Sequence, residues 1–158
     1  MLILNCLVYN IFIEKFFEFQ KGRVFMENAN VMVVRFNEAL MAPVVEGVTF
    51  EIGDSNKELA QFYKLIHTDI VEHLSVKINK RKYDLWFDEE GKFKRNAPLY
   101  PLSYNGKIYD VIMGNIVVTK SRNGKTEGIP DKEWDSLKKA LEEKAYEALR
   151  EVSKMINK

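Results

Sequence analysis

The sequence predicts an α+β domain in which a mainly antiparallel sheet packs with one short helix and a long C-terminal helix. Three observations carry that expectation. β-Branched and aromatic residues recur in short runs with a period of two, Asn-Gly dipeptides mark tight turns at 105–106 and 123–124, and the last stretch holds an apolar stripe at helical spacing with no breaker. At 158 residues the chain has a one-domain length, and folding removes roughly 70% of its unfolded surface from water, so neither disulfides nor metal are needed to hold a core. No repeat, low-complexity tract or linker marks a second domain.

Taken in order, "NVMVVRF" and "VVEGVTFEI" read as two strands separated by the region of Pro43. "DSNKELAQFYKLI" changes period: Leu59, Phe62, Tyr63 and Ile66 recur by threes and fours behind Asp54 or Ser55, either of which suits an N-cap, giving the short helix. "DIVEHLSVKI" and "KYDLWFD" alternate on either side of a turn at "NKRK", as a hairpin does. Ile70, Leu74, Val76 and Ile78 then face the core together with Tyr83, Leu85 and Phe87. "KIYDVIMGNIVVTK", between the two Asn-Gly turns, reads as the strongest strand of the chain. From Pro130 and Asp131 onward, Trp134, Leu137, Leu141, Ala145, Ala148, Val152 and Met155 form one stripe on a helix over 131–157, about 40 Å long if unbroken. Its far end still carries apolar side chains, so a second copy of the chain is an expected partner there, giving a homo-oligomer. An ordinary cover helix with a frayed tail is the alternative.

Charge excludes some roles. The 24 basic and 23 acidic side chains nearly cancel, so no global field drives nonspecific binding to nucleic acid or anionic membranes, and any such binding has to come from a local patch. The single cysteine, Cys6, rules out an internal disulfide framework and a cysteine-rich zinc site, which fits a reducing cytoplasm. The apolar start, "MLILNCLVYNIFIEKFFEF", has no cation before Lys15 and no small-residue cleavage site, so it fits a secretory signal poorly. Asn5, Asn10, Glu14 and Lys15 interrupt it too often for a membrane span. "KGRVFMEN" back-translates naturally to a ribosome-binding site ahead of Met26. Residues 1–25 are therefore expected to be translated leader, with a single domain over 26–158; an amphipathic membrane-surface segment is the competing expectation.

The candidate chemistry is sparse. In "DEEG" the acids Asp88, Glu89 and Glu90 are contiguous, so they cannot converge on one ion in the alternating pattern of a calcium loop. A turn that exposes all three and lets Gly91 take a reversed backbone angle is the expectation. In "HTDIVEH", His67, Asp69 and His73 would share one strand face, but His67 to His73 spans nearly 20 Å at strand rise, so they make a metal site only if the chain bends. "NGKTEG" has Thr119 where a phosphate loop needs its first glycine, and it reads as a hairpin turn. Ser136 and Lys139 in "SLKK" have the spacing of an acylating pair without its companion motifs. No nucleophile elbow occurs, and no cofactor or catalytic residue is called for. A binding role is better served: Lys77, Lys80, Arg81 and Lys82 crowd one hairpin end, and Lys92, Lys94 and Arg95 follow the acidic turn, with Trp86 and Phe93 nearby. Cations interleaved with aromatics grip phosphates and stack bases. The plainer role is that lysines guard strand edges against aggregation.

The stretch "ELAQFYKLIHTDIVEHLSVKINKRKYDLWFDEEGKFKRNAPL", followed by "YDVIMGNIVV", resembles a family of small phage-, prophage- and plasmid-encoded proteins known only as a domain of unknown function. The likeness lies in a "YKLI" helix leading to a "DIV" strand, then "YD", "DEEG" with lysine behind it, a prolyl segment, and "GN" before an apolar strand, over residues 57–120. "KRNAPLYPL" and the long last helix depart from its usual pattern. The resemblance implies no reaction, so Asp88, Gly91, Gly114 and Asn115 are expected to be architectural. It implies a setting: a mobile-element accessory protein in the cytoplasm of a bacterial host cell, of a kind that often serves host takeover or inhibition of host defence. The expected function is non-enzymatic, anti-defence binding of a host defence protein or a nucleotide-derived immune signal, with no membrane involvement. A small nucleic-acid-associated regulator using the basic hairpin end is the alternative, and a metal-dependent hydrolase of nucleotide signals through His67, Asp69 and His73 is the weaker one.

Overall fold

A computed structural model describes residues 27–158; the expected leader over 1–25 lies outside them. Strand β1 (Glu27–Asn37) and strand β2 (Ala42–Ile52) form an antiparallel hairpin in continuous register from Glu27 opposite Ile52 to Asn37 opposite Ala42. Asn37 closes the turn by accepting from the Leu40 N–H at 3.0 Å. Pro43 does not stand between the strands as the sequence suggested: it sits within β2, opposite Phe36. β2 is the edge of its sheet, the one place where a residue without an N–H costs no ladder bond.

Helix α1 (Ser55–Ile66) starts where Asp54 accepts from the N–H groups of Asn56 and Lys57 at 2.9 and 3.1 Å, and stops at His67, whose φ of 64° ends the helical repeat. Strands β3 (Val71–Ile78) and β4 (Arg81–Asp88) follow, joined at Asn79 and Lys80 with φ of 51° and 66°, a mirror-image turn whose twist suits a hairpin. Ile70 lies ahead of β3 and is exposed, whereas Ile78, Tyr83 and Leu85 are buried as the alternation required. After a 3-10 turn at Gly91–Phe93 come β5 (Pro98–Tyr104) and β6 (Lys107–Met113), turning at Asn105-Gly106. Then β7 (Ile116–Arg122) and β8 (Lys125–Glu127) turn at Asn123-Gly124. The segment expected as one strand is therefore two. Gly114, at φ 91°, swings the chain out of a separate two-stranded β5–β6 sheet and into the main one, whose order is β2-β1-β7-β4-β3 with β8 paired to β7. Helix α2 (Asp131–Ile156) ends the chain.

The main sheet is covered on both sides, which is why Val31 to Val34 are all buried in a row. On one face α1 sets Phe62 and Ile66 on Val31, Val33, Phe50 and Val117. On the other, α2 and the β5–β6 pair bring Leu137, Leu141, Ala145 and Leu99 onto Met32, Val34, Leu85 and Val118. Each of the larger of these side chains, valine and upward, contributes about 1.5–3 kcal/mol when fully buried. The apolar stripe of α2 holds as far as Ala148, but Met155 is 64% exposed. The result is the α+β architecture with one short and one long helix that the sequence predicts. Among the described residues no helix is long and apolar enough to cross a membrane.

Candidate functional site

The cations fall into three environments. At the β3–β4 turn, Lys77 is paired across the hairpin with Lys82, and Lys80 occupies the turn itself. Arg81 belongs to the opposite sheet face. It approaches Glu133 at 3.2 Å, and Lys120 (2.9 Å) and the Tyr83 hydroxyl (3.2 Å) donate to the same carboxylate. Glu133 is 3% exposed. Burial pushes its carboxyl up, but bonds and charge from Lys120, with Tyr83 and Arg81, outweigh that and hold it below the usual range. The same burial, with the neighbouring Glu133 charge, raises the Tyr83 phenol.

At the other end of β4, roughly 23 Å away at strand rise, Lys92 donates to Asp110 at 2.5 Å and Lys94 to Asp88 at 2.6 Å. Asp88 is not exposed as a plain turn would leave it: it is 5% exposed and also accepts from the Glu90 N–H at 2.9 Å. Burial again pushes the carboxyl up, and the bonds from Lys94, Glu90 and Thr68 bring it below its ordinary value. Gly91 keeps an ordinary negative φ, contrary to the expected reversed angle. Glycine is needed there because a Cβ would stand 2.4 Å from the Met113 carbonyl oxygen. Phe93 is 90% exposed. Trp86 offers no open ring: it stacks on Phe62 (4.2 Å) and His73 (4.7 Å) and donates through Nε1 to Thr119 at 2.9 Å.

His67, Asp69 and His73 do not share a strand. β3 begins only at Val71; His67 caps α1 and His73 lies on Trp86. Among the described residues no group of three or more His, Cys, Asp or Glu side chains is placed to hold a metal ion. Ser136 spends its hydroxyl on the Glu133 carbonyl at 3.1 Å.

What the fold does bring together is a cleft of about 510 Å³ where α1 ends, β1 ends, β7 begins and the β4–β5 connection crosses. His67, Lys94 and Arg95 stand on it beside apolar Phe36, Ile66, Ala97 and Leu99. Asn115 and Asn96 are set by donating to the Leu65 carbonyl (3.1 Å) and the Gly91 carbonyl (3.3 Å), which leaves their side-chain oxygens available as acceptors. Gly114 makes room for Asn96, whose side chain would lie 3.0 Å from an added Cβ. Among the described residues Glu38 is the one acid on the wall. Lys94 is shared with Asp88, and that bond raises its pKa, so it stays charged. Arg95 has no ion-pair partner among the described residues. The arrangement can grip an anion at one side and shelter an apolar, planar body at the other. The sequence offered His67, Lys94 and Arg95 as chemistry-bearing residues. It gave no sign of the apolar floor, which comes from three elements far apart in the chain.

Fold and cleft together define an α+β domain with a concavity that is part polar and part apolar. Its family is a matter of sequence: the chain belongs to the family described as Domain of unknown function (DUF3846), whose sequence model matches residues 39–142. The match runs from the β1–β2 turn into the middle of α2 and takes in the whole cleft except Phe36 and Glu38. No curated protein and no solved structure matches this chain.

Proposed function

We propose that this protein is a non-enzymatic binder that captures a small phosphate-bearing ligand, a nucleotide or nucleotide-derived signal, in the cleft beside the end of α1. The observation that supports this reading is the pairing, within one concavity, of Arg95, Lys94 and His67 with an apolar floor and two asparagine oxygens. A nucleotide presents the complementary set: anionic phosphates, an apolar planar base and exocyclic N–H groups. Capture needs only binding groups, and Arg95, Lys94, His67 and the two asparagines would serve as them. In the mobile-element setting that the sequence resemblance implies, sequestering a nucleotide-derived immune signal would inactivate a host defence.

The test is equilibrium dialysis against a panel of mononucleotides and cyclic dinucleotides, followed by heat release and mass spectrometry. Expected is depletion of one ligand in proportion to protein, recovery of that ligand unchanged, and a loss of affinity of about tenfold or more in Arg95→Glu, the cost of one charge-assisted contact. Many molecules cleaved per protein would overturn capture, and binding unaffected by Arg95→Glu would overturn the cleft.

A further inference from the structure

We infer that the α1-side face of the β3–β4 hairpin is a second, separate site, one that binds single-stranded nucleic acid along the rows Lys77/Lys82, Ser75/Asp84 and His73/Trp86. The strand register sets these three pairs directly opposite one another, and since alternate residues share a face, all six side chains lie on the same side of the sheet. Two hydrogen bonds fix that side: Ser75 to Asp84 at 2.6 Å, and Trp86 to Thr119 at 2.9 Å. It is the side α1 covers, because Trp86 stacks on Phe62.

At one end of this face two lysines stand directly opposite each other, a pairing that disfavours the sheet through like-charge repulsion. Lys80, in the adjoining turn, adds a third cation. None of the three has an acidic partner among the described residues. Asp84, the acid in the middle row, is 4% exposed and held by Ser75, so it lies beneath the surface rather than on it. At the other end, about 13 Å along the strands, His73 is exposed and lies nearly parallel to Trp86, with ring centroids 4.7 Å apart and an interplanar angle of 24°. An imidazole held flat by the indole beneath it is a stacking platform for one base. A single strand uses both ends of the face, its phosphates on the lysines and an unstacked base on His73. A duplex, an acidic peptide or an anionic bilayer would use the lysines and leave His73 idle.

The lysine end of this site stands at the opposite end of β4 from the cleft, and no residue of the site lines the cleft, so it does not depend on the proposed capture of a small ligand. The experiment is fluorescence anisotropy of a labelled oligothymidylate, with a duplex of the same length and phosphatidylserine vesicles as comparisons. Expected is preferential binding of the single strand, with log K falling against log salt at a slope of about −2 between about 50 and 200 mM, as three released counterions require. Lys77→Glu with Lys82→Glu should flatten that slope and cost more than tenfold in affinity. His73→Ala should cost about fivefold or more while leaving the slope unchanged, the mark of lost stacking. Lys77→Gln alone should give an intermediate slope, and circular dichroism on every variant separates lost binding from lost folding. Arg95→Glu should leave binding intact; if it abolishes binding, the nucleic acid occupies the cleft and the site is wrong. Equal affinity for the duplex or the vesicles, indifference to His73→Ala, or no binding at the lower salt would each overturn the inference.

Discussion

At the β3–β4 turn Lys77, Lys80 and Lys82 carry no acid partner among the described residues, whereas beyond the far end of β4 Lys92 and Lys94 are both held by aspartates. In the sequence these two groups look alike, a few cations near an aromatic. In the structure they do different work. The far group is held by the fold: Lys94, although it borders the cleft, neutralises a carboxylate that the fold has buried, and Lys92 ties the 3-10 turn to β6. The near group neutralises nothing and sets two like charges face to face. Between them Arg81 faces the other side of the sheet and shares the buried Glu133 with Lys120. A cation that compensates a buried acid is needed for stability, while one that stands against another cation is free to meet an external anion.

The largest effect of breaking this contrast should come from the buried network. Lys120→Met leaves Glu133 with only Arg81 and Tyr83 and should cost about 3 kcal/mol, because it strands a carboxylate away from water; urea denaturation measures it. Since the folded carboxyl of Glu133 lies below its ordinary value of 4.5, the unfolded chain takes up the proton first. Its stabilising contribution is complete above that ordinary value and is lost as pH falls through the folded pKa. Glu133→Gln should therefore flatten the acid limb of the stability profile. A change below about 0.5 kcal/mol for Lys120→Met, the size of a surface pair, would show that the network is solvated.

A smaller contrast lies within the far group. Asp88 has a 3% exposed side chain and Asp110 a 36% exposed one. Asp88→Asn should cost about 1.5 kcal/mol, a charged hydrogen bond lost in a dry place, and Asp110→Asn only a few tenths, as exposed pairs do. Thermal unfolding of the two variants side by side decides it. Equal losses would mean that the burial of Asp88 does not strengthen its ion pair.

The alternation of β3 and β4 and the two Asn-Gly turns were legible because period-two patterning and positive-φ residues are local signals. Pro43 and Gly114 misled for a local reason too: a proline ordinarily ends a strand and an apolar run ordinarily continues one, and only the sheet order reveals that the first sits on an edge and the second at a crossing between sheets. Glu133 carries a subtler signal in the sequence. It stands four residues before Leu137, in line with the buried stripe of α2, and an acid in such a line has to be paired. The cleft was half legible. His67, Lys94 and Arg95 stand out by type, but their meeting with Phe36, Ile66 and Leu99 depends on where α1, β1 and the β4–β5 connection end relative to one another. No spacing along the chain encodes that.

The smallest expected effect is also the sharpest test of the near group. If Lys77 and Lys82 repel across the hairpin, either Lys77→Glu or Lys82→Glu turns a like-charged pair into an opposite one and should raise stability by a few tenths of a kcal/mol. The double substitution restores like charge with the sign reversed, so it should return stability to near the starting value. Such a cycle isolates the pair from any change in helix or turn, since each single variant makes the same cross-strand contact from a different side. Screening gives a second check, because the gain should be present at low ionic strength and fade as the Debye length shrinks toward about 3 Å in molar salt. Single variants that are each destabilised, with the double additive, would show that these lysines support the hairpin by packing their stems along it. They would then join Lys92 as structural residues, and the contrast between the two ends of β4 would be gone.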